Sequence, residues 1–143
     1  MGYGDYQNGQ QGIFNSLVIE FDVYHDASMG DPNGNHVGVH SKGNNPNSSN
    51  ENAVILGLVN TTIPAIQTGN GNKHTVDIEY QASLTTLEVI LDGQLVLFSD
   101  NFTLSDWIEL PSNGNSFIGL TSSTNTNDYF QLDILSWSFG ELV

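Results

Sequence analysis

Short segments that alternate apolar and polar residues recur along this chain, and turn-forming residues separate them. The clearest pair covers 86–91 and 95–98 and flanks Asp92-Gly93-Gln94. An Asp-Gly turn between two β-prone segments predicts a β-hairpin. No segment carries the periodicity of a helix, so the pattern favours an all-β antiparallel sandwich. The other predicted strands cover 74–80, 117–121 and 130–139.

Length and composition indicate one extracellular domain spanning 1–143. A chain of 143 residues buries about two thirds of its unfolded surface, and the lack of cysteine excludes disulfides. No apolar segment is long enough for a transmembrane helix, which excludes membrane insertion. The first five residues do not resemble a signal peptide, so we expect any export signal to be absent from this chain.

The charge balance excludes one large class of partners. Sixteen acidic residues against two lysines give a net charge of -14. Such a chain is repelled by phosphate backbones and by anionic lipid surfaces, so we expect neither nucleic acid nor membrane as a partner.

Carboxylates are concentrated in one segment of this otherwise charge-poor chain. Side chains alternate along an extended segment, so Glu20 and Asp22 share a face. A loop that contains Asp31 then leads to a second extended run, in which His36 and His40 share a face. If the two runs pair, Glu20, Asp22, Asp31 and His36 converge.

This group of donors predicts a metal site. Carboxylate oxygens suit calcium, magnesium or manganese, and an imidazole among them favours manganese. Asp22 and Asp31 could bridge two ions. Glu20 and His36 would complete the first ion, and the Tyr24 carbonyl with the Asp26 side chain would complete the second. The alternative is an acidic surface loop that holds no ion.

Four motifs of this chain occur together in one order. They are Val18-Ile19-Glu20-Phe21-Asp22-Val23-Tyr24, Gly30-Asp31-Pro32, His36-Val37-Gly38-Val39 and Leu135-Ser136-Trp137-Ser138-Phe139. Together they resemble the L-type (legume-type) lectins, over about 12–142. The resemblance implies a concanavalin-like jelly roll that binds Mn²⁺ and Ca²⁺. It places manganese on Glu20, Asp22, Asp31 and His36, and calcium on Asp22, Asp26, Asp31 and the Tyr24 carbonyl.

The resemblance also implies a carbohydrate site beside the calcium ion. It places the specificity loop at 124–129, where the backbone N–H groups of Asn127 and Asp128 would face the sugar, and Tyr24 is the candidate aromatic platform. The family usually has asparagine at the position of Asp26. An ionised carboxylate cannot donate a hydrogen bond, so Asp26 could only accept one from a sugar hydroxyl.

A full domain of this family has further strands ahead of a glycine-rich segment, which residues 1–12 resemble. The resemblance therefore implies a sandwich that lacks the N-terminal strands and the sugar-contacting aspartate they carry. Exposed sheet edges and apolar faces favour association. We expect either a homo-oligomer or a complementary N-terminal half as partner.

The sequence favours metal-dependent glycan binding without catalysis, and two alternatives were weighed against it. One is a structural or adhesive module that assembles with itself and has a degenerate sugar site. The other is a glycoside hydrolase with a Glu-x-Asp-x-x-Glu strand. His25 stands where the second glutamate of that pattern would be, which argues against the enzyme.

Five other residues are predicted to be structural or supporting. We expect His25 and His74 not to bind metal, and His40 at most to support His36. Trp107 and Trp137 are predicted to pack in the core, since large rings in apolar segments are usually buried.

Overall fold

The computed structural model describes residues 2–4, 12–54, 56–66, 72–113, 115–123 and 131–140. Within these residues there are six strands, two short 3-10 helices and no α-helix, which confirms the predicted all-β class. No helix in the same residues has the length and apolar character needed to cross a membrane. The 3-10 helices are Ala27–Met29 and Leu104–Asp106, and the strands are β1 (Leu17–Asp22), β2 (His36–Ser41), β3 (Leu56–Asn60), β4 (Val76–Gln81), β5 (Thr86–Leu91) and β6 (Gln94–Ser99).

The first sheet has the order β1-β2-β3, and both pairs are antiparallel. The central strand β2 is buried along its whole length. Its Val37 and Val39 enter the core, and because side chains alternate, His36 and His40 lie on the opposite face. Strand β3 was missed in the sequence, since Gly57 interrupts its short alternating pattern.

The second sheet has the order β4-β5-β6 and contains the predicted hairpin. Asp92 and Gly93 both have positive φ, 53° and 77°, as a two-residue hairpin turn requires. The predicted strand over 74–80 is present as β4. The His74 ring lies beside this turn, with Nδ1 2.7 Å from Asp92 Oδ2.

Both sheets contribute to one apolar core. β3 contacts β6, where the Asn60 side-chain amide donates a hydrogen bond to the Val96 carbonyl. Trp107 is partly buried against this core and stacks on Phe102. The buried members are Val37, Val39, Leu56, Leu87, Val89, Leu91, Val96, Leu97 and Phe102.

Two predicted strands and one predicted core residue are wrong. Residues 115–123 and 131–140 form no β-ladder within the described chain, and Phe130 lies outside it. The strand prediction failed because alternation reports only a preference, whereas a strand also needs a neighbour to pair with. Trp137 is 59% exposed, so it is not a core residue. Val76 and Ile78 on β4 are also exposed.

Candidate metal site on the β1–β2 pair

The register of β1 against β2 sets which acidic and histidine side chains meet. Asp22 lies directly opposite His36, Glu20 opposite Gly38, and Val18 opposite His40. Glu20 is therefore placed between two histidines of the facing strand. Gly38 keeps this position open, since a Cβ there would lie 2.8 Å from His40 Nε2.

Asp22, Asp31 and His36 form the first group, here called the hairpin site. Their donor atoms lie within 4.8 Å of one another, and all three residues are buried. Backbone N–H groups orient both carboxylates, because Tyr24 N donates to Asp22 Oδ1 at 2.7 Å and Asp26 N donates to Asp31 Oδ2 at 2.8 Å.

The imidazole of His36 is oriented by a backbone carbonyl. Its Nδ1 lies 2.9 Å from the Asn33 carbonyl oxygen, which can only accept, so Nδ1 carries a proton. In the neutral ring this leaves the lone pair on Nε2, which is buried and has no hydrogen-bond partner among the described residues. A histidine fixed in this way is typical of a metal ligand.

Burial and neighbouring charges in the hairpin site disfavour the ionised forms of Asp22 and Asp31. Burial raises the pKa of Asp22 and of Asp31, and the neighbouring negative charges add to the effect. For His36, burial opposes the charged ring, but the Glu51 carboxylate and the Asn33 carbonyl outweigh it and raise the pKa. A divalent cation would relieve the repulsion between the two carboxylates.

Glu20, His40 and Glu51 form a second group, here called the Glu51 cluster. Donor atoms of these three residues also lie within 4.8 Å of one another. Glu51 Oε1 lies 3.0 Å from His40 Nε2, and His40 Nδ1 lies 3.3 Å from Glu20 Oε2. The Tyr3 hydroxyl donates to Glu20 Oε2 at 2.7 Å and lies 2.7 Å from His40 Nδ1. The structure thus divides the predicted ligands, with Glu20 in a group separate from Asp22, Asp31 and His36.

The pKa values of Glu20 and Glu51 are shifted in opposite directions. Burial raises the pKa of Glu20, and the Tyr3 hydrogen bond only partly compensates. Burial opposes the charge of Glu51 too, but contacts with His36 and His40 lower its pKa to about 2. The pKa of His40 is raised because Glu51 and Glu20 outweigh its burial. The Tyr3 hydroxyl is buried beside Glu20, which raises its pKa far above the ordinary value.

The remaining predicted site residues lie at the surface end of the hairpin or outside the described chain. Tyr24 is 45% exposed and is the second residue after the end of β1. Asp26 caps the first 3-10 helix, since its Oδ1 accepts hydrogen bonds from the N–H and the hydroxyl of Ser28. Asn127 and Asp128, predicted to contact the sugar, lie outside the described residues.

Sequence reasoning missed Glu51 and Tyr3. Glu51 follows a turn-rich loop whose sequence has no periodic pattern. The sequence therefore does not predict that this loop folds back over β2. Its backbone N–H donates to the Met29 carbonyl at 2.9 Å, which joins this loop to the one between β1 and β2. The only available signal was a lone acid between two asparagines in a chain with few charges.

The residues present fit the ions that the acidic segment predicts. Asp22 and Asp31 offer carboxylate oxygens and His36 offers an unpartnered, buried imidazole nitrogen, which together suit manganese. Calcium prefers oxygen alone, and Asp26 and the Tyr24 carbonyl adjoin Asp22 and Asp31 along the same loop. These are candidate ligand groups.

This chain is a β-sheet protein with candidate cation sites, as its fold and its clustered acid and imidazole groups show. Sequence comparison gives its family. Residues 5–142 match the legume lectin domain family. The chain therefore belongs to the legume lectin (L-type lectin) family, whose fold is concanavalin-like.

One curated relative is the probable L-type lectin-domain containing receptor kinase S.7 of Arabidopsis thaliana. It is 30% identical over 153 aligned residues, which cover 96% of this chain. The chain corresponds to only 20% of that relative's length. The name receptor kinase describes that longer protein.

Proposed function

We propose that this chain binds glycans and that calcium and manganese hold its binding loop in shape. Manganese would be bound by Glu20, Asp22, Asp31 and His36, with Glu20 reaching across from the Glu51 cluster. Membership of the lectin family supports glycans as the ligand class. The convergence of buried Asp22, Asp31 and His36 at one end of the β1–β2 pair is the observation that carries the metal dependence.

The second ion would be calcium, bound by Asp22, Asp31, Asp26 and the Tyr24 carbonyl. Because Tyr24 and Asp26 belong to the same loop, an ion there would fix the positions of the aromatic ring and of the Asp26 carboxylate. These two residues, with Asn127 and Asp128, would contact the sugar. The role is binding without catalysis, in an extracellular setting, by one domain spanning 1–143.

A glycan array tests this function directly. The chain is expected to retain at least one glycan class with calcium and manganese present, to lose it in EDTA, and to regain it when both ions are restored. Individual lectin sites are weak, about -4 to -5 kcal/mol for near-millimolar binding, so the array should present glycans densely. Glycan retention that is equal with and without EDTA would contradict the proposal.

Asp26→Asn is expected to strengthen glycan binding. Asparagine keeps the oxygen that accepts from Ser28 and that faces the calcium position, and its amide adds a donor for a sugar hydroxyl. One added hydrogen bond is worth about 0.5–1.5 kcal/mol, so affinity should rise about two- to tenfold. Calorimetric titration with the best glycan from the array measures it, and Asp77→Asn on β4 is the matched control. A weaker Asp26→Asn variant would contradict the assigned sugar contact.

One observation favours a structural or adhesive module as a second candidate. Large apolar side chains in 115–123 and 131–140 are exposed, including Phe117, Leu135, Trp137 and Phe139. Such surface favours association, either with a second copy or with a chain that supplies a complementary N-terminal half. Metal-dependent melting and self-association without any glycan retained would favour this candidate over glycan binding.

A further inference from the structure

Three segments of this chain have the Asn-x-Ser/Thr pattern that accepts an N-linked glycan. They are Asn47-Ser48-Ser49, Asn60-Thr61-Thr62 and Asn101-Phe102-Thr103. A glycan is bulky and hydrated, so the asparagine that carries it must present its side-chain nitrogen to solvent in the folded protein. The three asparagines differ sharply by this criterion.

Asn47 has no free side-chain nitrogen. The residue is 0% exposed. Its Nδ2 donates to the Ser16 carbonyl and the Ser16 hydroxyl oxygen, both at 3.1 Å, and to the His40 carbonyl at 3.2 Å. Its Oδ1 accepts the Ser48 N–H at 2.9 Å. A sugar on this nitrogen would displace these bonds and would have to lie inside the fold.

The side chain of Asn60 joins the two sheets. Asn60 is the last residue of β3, and its amide nitrogen donates to the Val96 carbonyl on β6. Its Oδ1 accepts the Thr62 N–H at 2.8 Å. A glycan on this nitrogen would separate β3 from β6.

Asn101 differs from both in exposure and in hydrogen bonding. It is exposed in the turn that follows β6. Within the described parts of the chain, no other residue accepts a hydrogen bond from its amide. Its φ is 58°, a left-handed conformation that asparagine adopts more readily than most residues. The side-chain nitrogen of Asn101 is therefore open to solvent.

The two residues after Asn101 hold it in this position. Phe102 is 2% exposed, and its backbone N–H donates to the Thr85 carbonyl, which fixes the turn against the loop between β4 and β5. Thr103 is the N-cap residue of the second 3-10 helix, but its side chain makes no capping hydrogen bond. The Asn101 amide and the Thr103 hydroxyl, which the acceptor pattern requires, are thus both left unused by the described fold.

We propose that Asn101 is an N-glycosylation site of this chain and that Asn47 and Asn60 carry no glycan. Asn101 Nδ2 gives up one proton and forms a bond to C1 of the first sugar of a lipid-pyrophosphate-linked oligosaccharide. The bond from C1 to the pyrophosphate breaks, and the pyrophosphate leaves with the lipid. This inference rests on the extracellular setting of the proposed function, since the transfer accompanies export. It does not rest on metal binding or on the sugar site.

Secretion of the chain from a eukaryotic cell, behind an export signal that is cleaved off, tests the site. Enzymatic glycan release in heavy-oxygen water, followed by peptide mass mapping, marks each asparagine that carried a glycan. The mark is expected on Asn101 and on neither Asn47 nor Asn60. Thr103→Val keeps the shape of the side chain without its hydroxyl and should lose the glycan, whereas Thr103→Ser should keep it.

The map separates the outcomes. A secreted chain without a glycan on Asn101, or with one on Asn47 or Asn60, would overturn the inference. If Thr103→Val is not secreted, Asn101→Asp provides the same loss. A glycan array that retains nothing would overturn the proposed function and leave this map unchanged, so the two failures are distinguishable.

Protein made without glycans provides a further check on the surface position of Asn101. Asn101→Asp should melt at the temperature of the unaltered chain, because no hydrogen bond within the described residues is lost. Asn60→Asp is the matched control and should melt lower, because it loses the donor to the Val96 carbonyl. Equal losses in the two variants would contradict the assignment of Asn101 to the free surface.

Discussion

Asp22→Asn is expected to abolish the stabilisation of this chain by calcium and manganese. Asparagine keeps the oxygen that accepts the Tyr24 N–H, so the loop loses a charge and keeps its hydrogen bond. At ion concentrations about a hundredfold above Kd, each bound ion adds about 2.7 kcal/mol, or about 10 °C in melting temperature for a chain of this length. Thermal melting with and without the two ions measures the loss.

Without the two ions, the unaltered chain should lose its advantage in melting temperature over Asp22→Asn. Burial raises the pKa of Asp22, so its ionised form destabilises the metal-free chain at neutral pH, and asparagine removes that cost. Metal-free Asp22→Asn should therefore melt no lower than the metal-free original. Asp77→Asn, an exposed carboxylate on β4, serves as control and should keep the full ion effect. An Asp22→Asn protein that calcium and manganese stabilise as well as the original would refute the role of Asp22.

Phe102→Ala is expected to lower the free energy of unfolding by about 3–5 kcal/mol. Phe102 is 2% exposed, packs edge-on against Tyr80 with centroids 6.1 Å apart, and stacks on Trp107 at 6.4 Å. Alanine leaves a cavity where these rings meet. Urea denaturation at fixed calcium and manganese concentrations measures the change.

A matched control separates burial from aromatic content. Phe98 on β6 is 51% exposed, so Phe98→Ala should cost only about 1 kcal/mol. Folded Phe102→Ala should also bind the same number of ions per chain, since Phe102 belongs to neither candidate metal group. Equal losses for the two variants would contradict the assignment of Phe102 to the shared core.

The sequence predicted those parts of the fold that depend on residues close together along the chain. The β5–β6 hairpin follows from Asp92 and Gly93, whose backbone angles are a local property. The meeting of Asp22 with His36 follows from two alternating segments joined by one loop. Long-range packing was not predictable in this way. Trp137 has the alternating neighbours of a strand, yet no ladder forms there and the ring is exposed.

The candidate site shows the same limit. Asp22, Asp31 and His36 could be grouped in advance because they lie within one hairpin. Glu51 could not, since its position depends on an irregular loop that returns to the sheet and bonds to the Met29 carbonyl. This loop brings Glu51 into one group with Glu20 and His40, an arrangement that strand alternation alone cannot reveal.

The melting temperature of the unaltered chain, measured after exhaustive chelation and again after calcium and manganese are restored, tests the central claim most directly. The chelated protein is expected to melt about 20 °C below the restored protein, about 10 °C for each ion, because two buried carboxylates and an imidazole lose their shared cations. Magnesium alone should restore little of the difference. Identical melting temperatures before and after restoration would contradict the account.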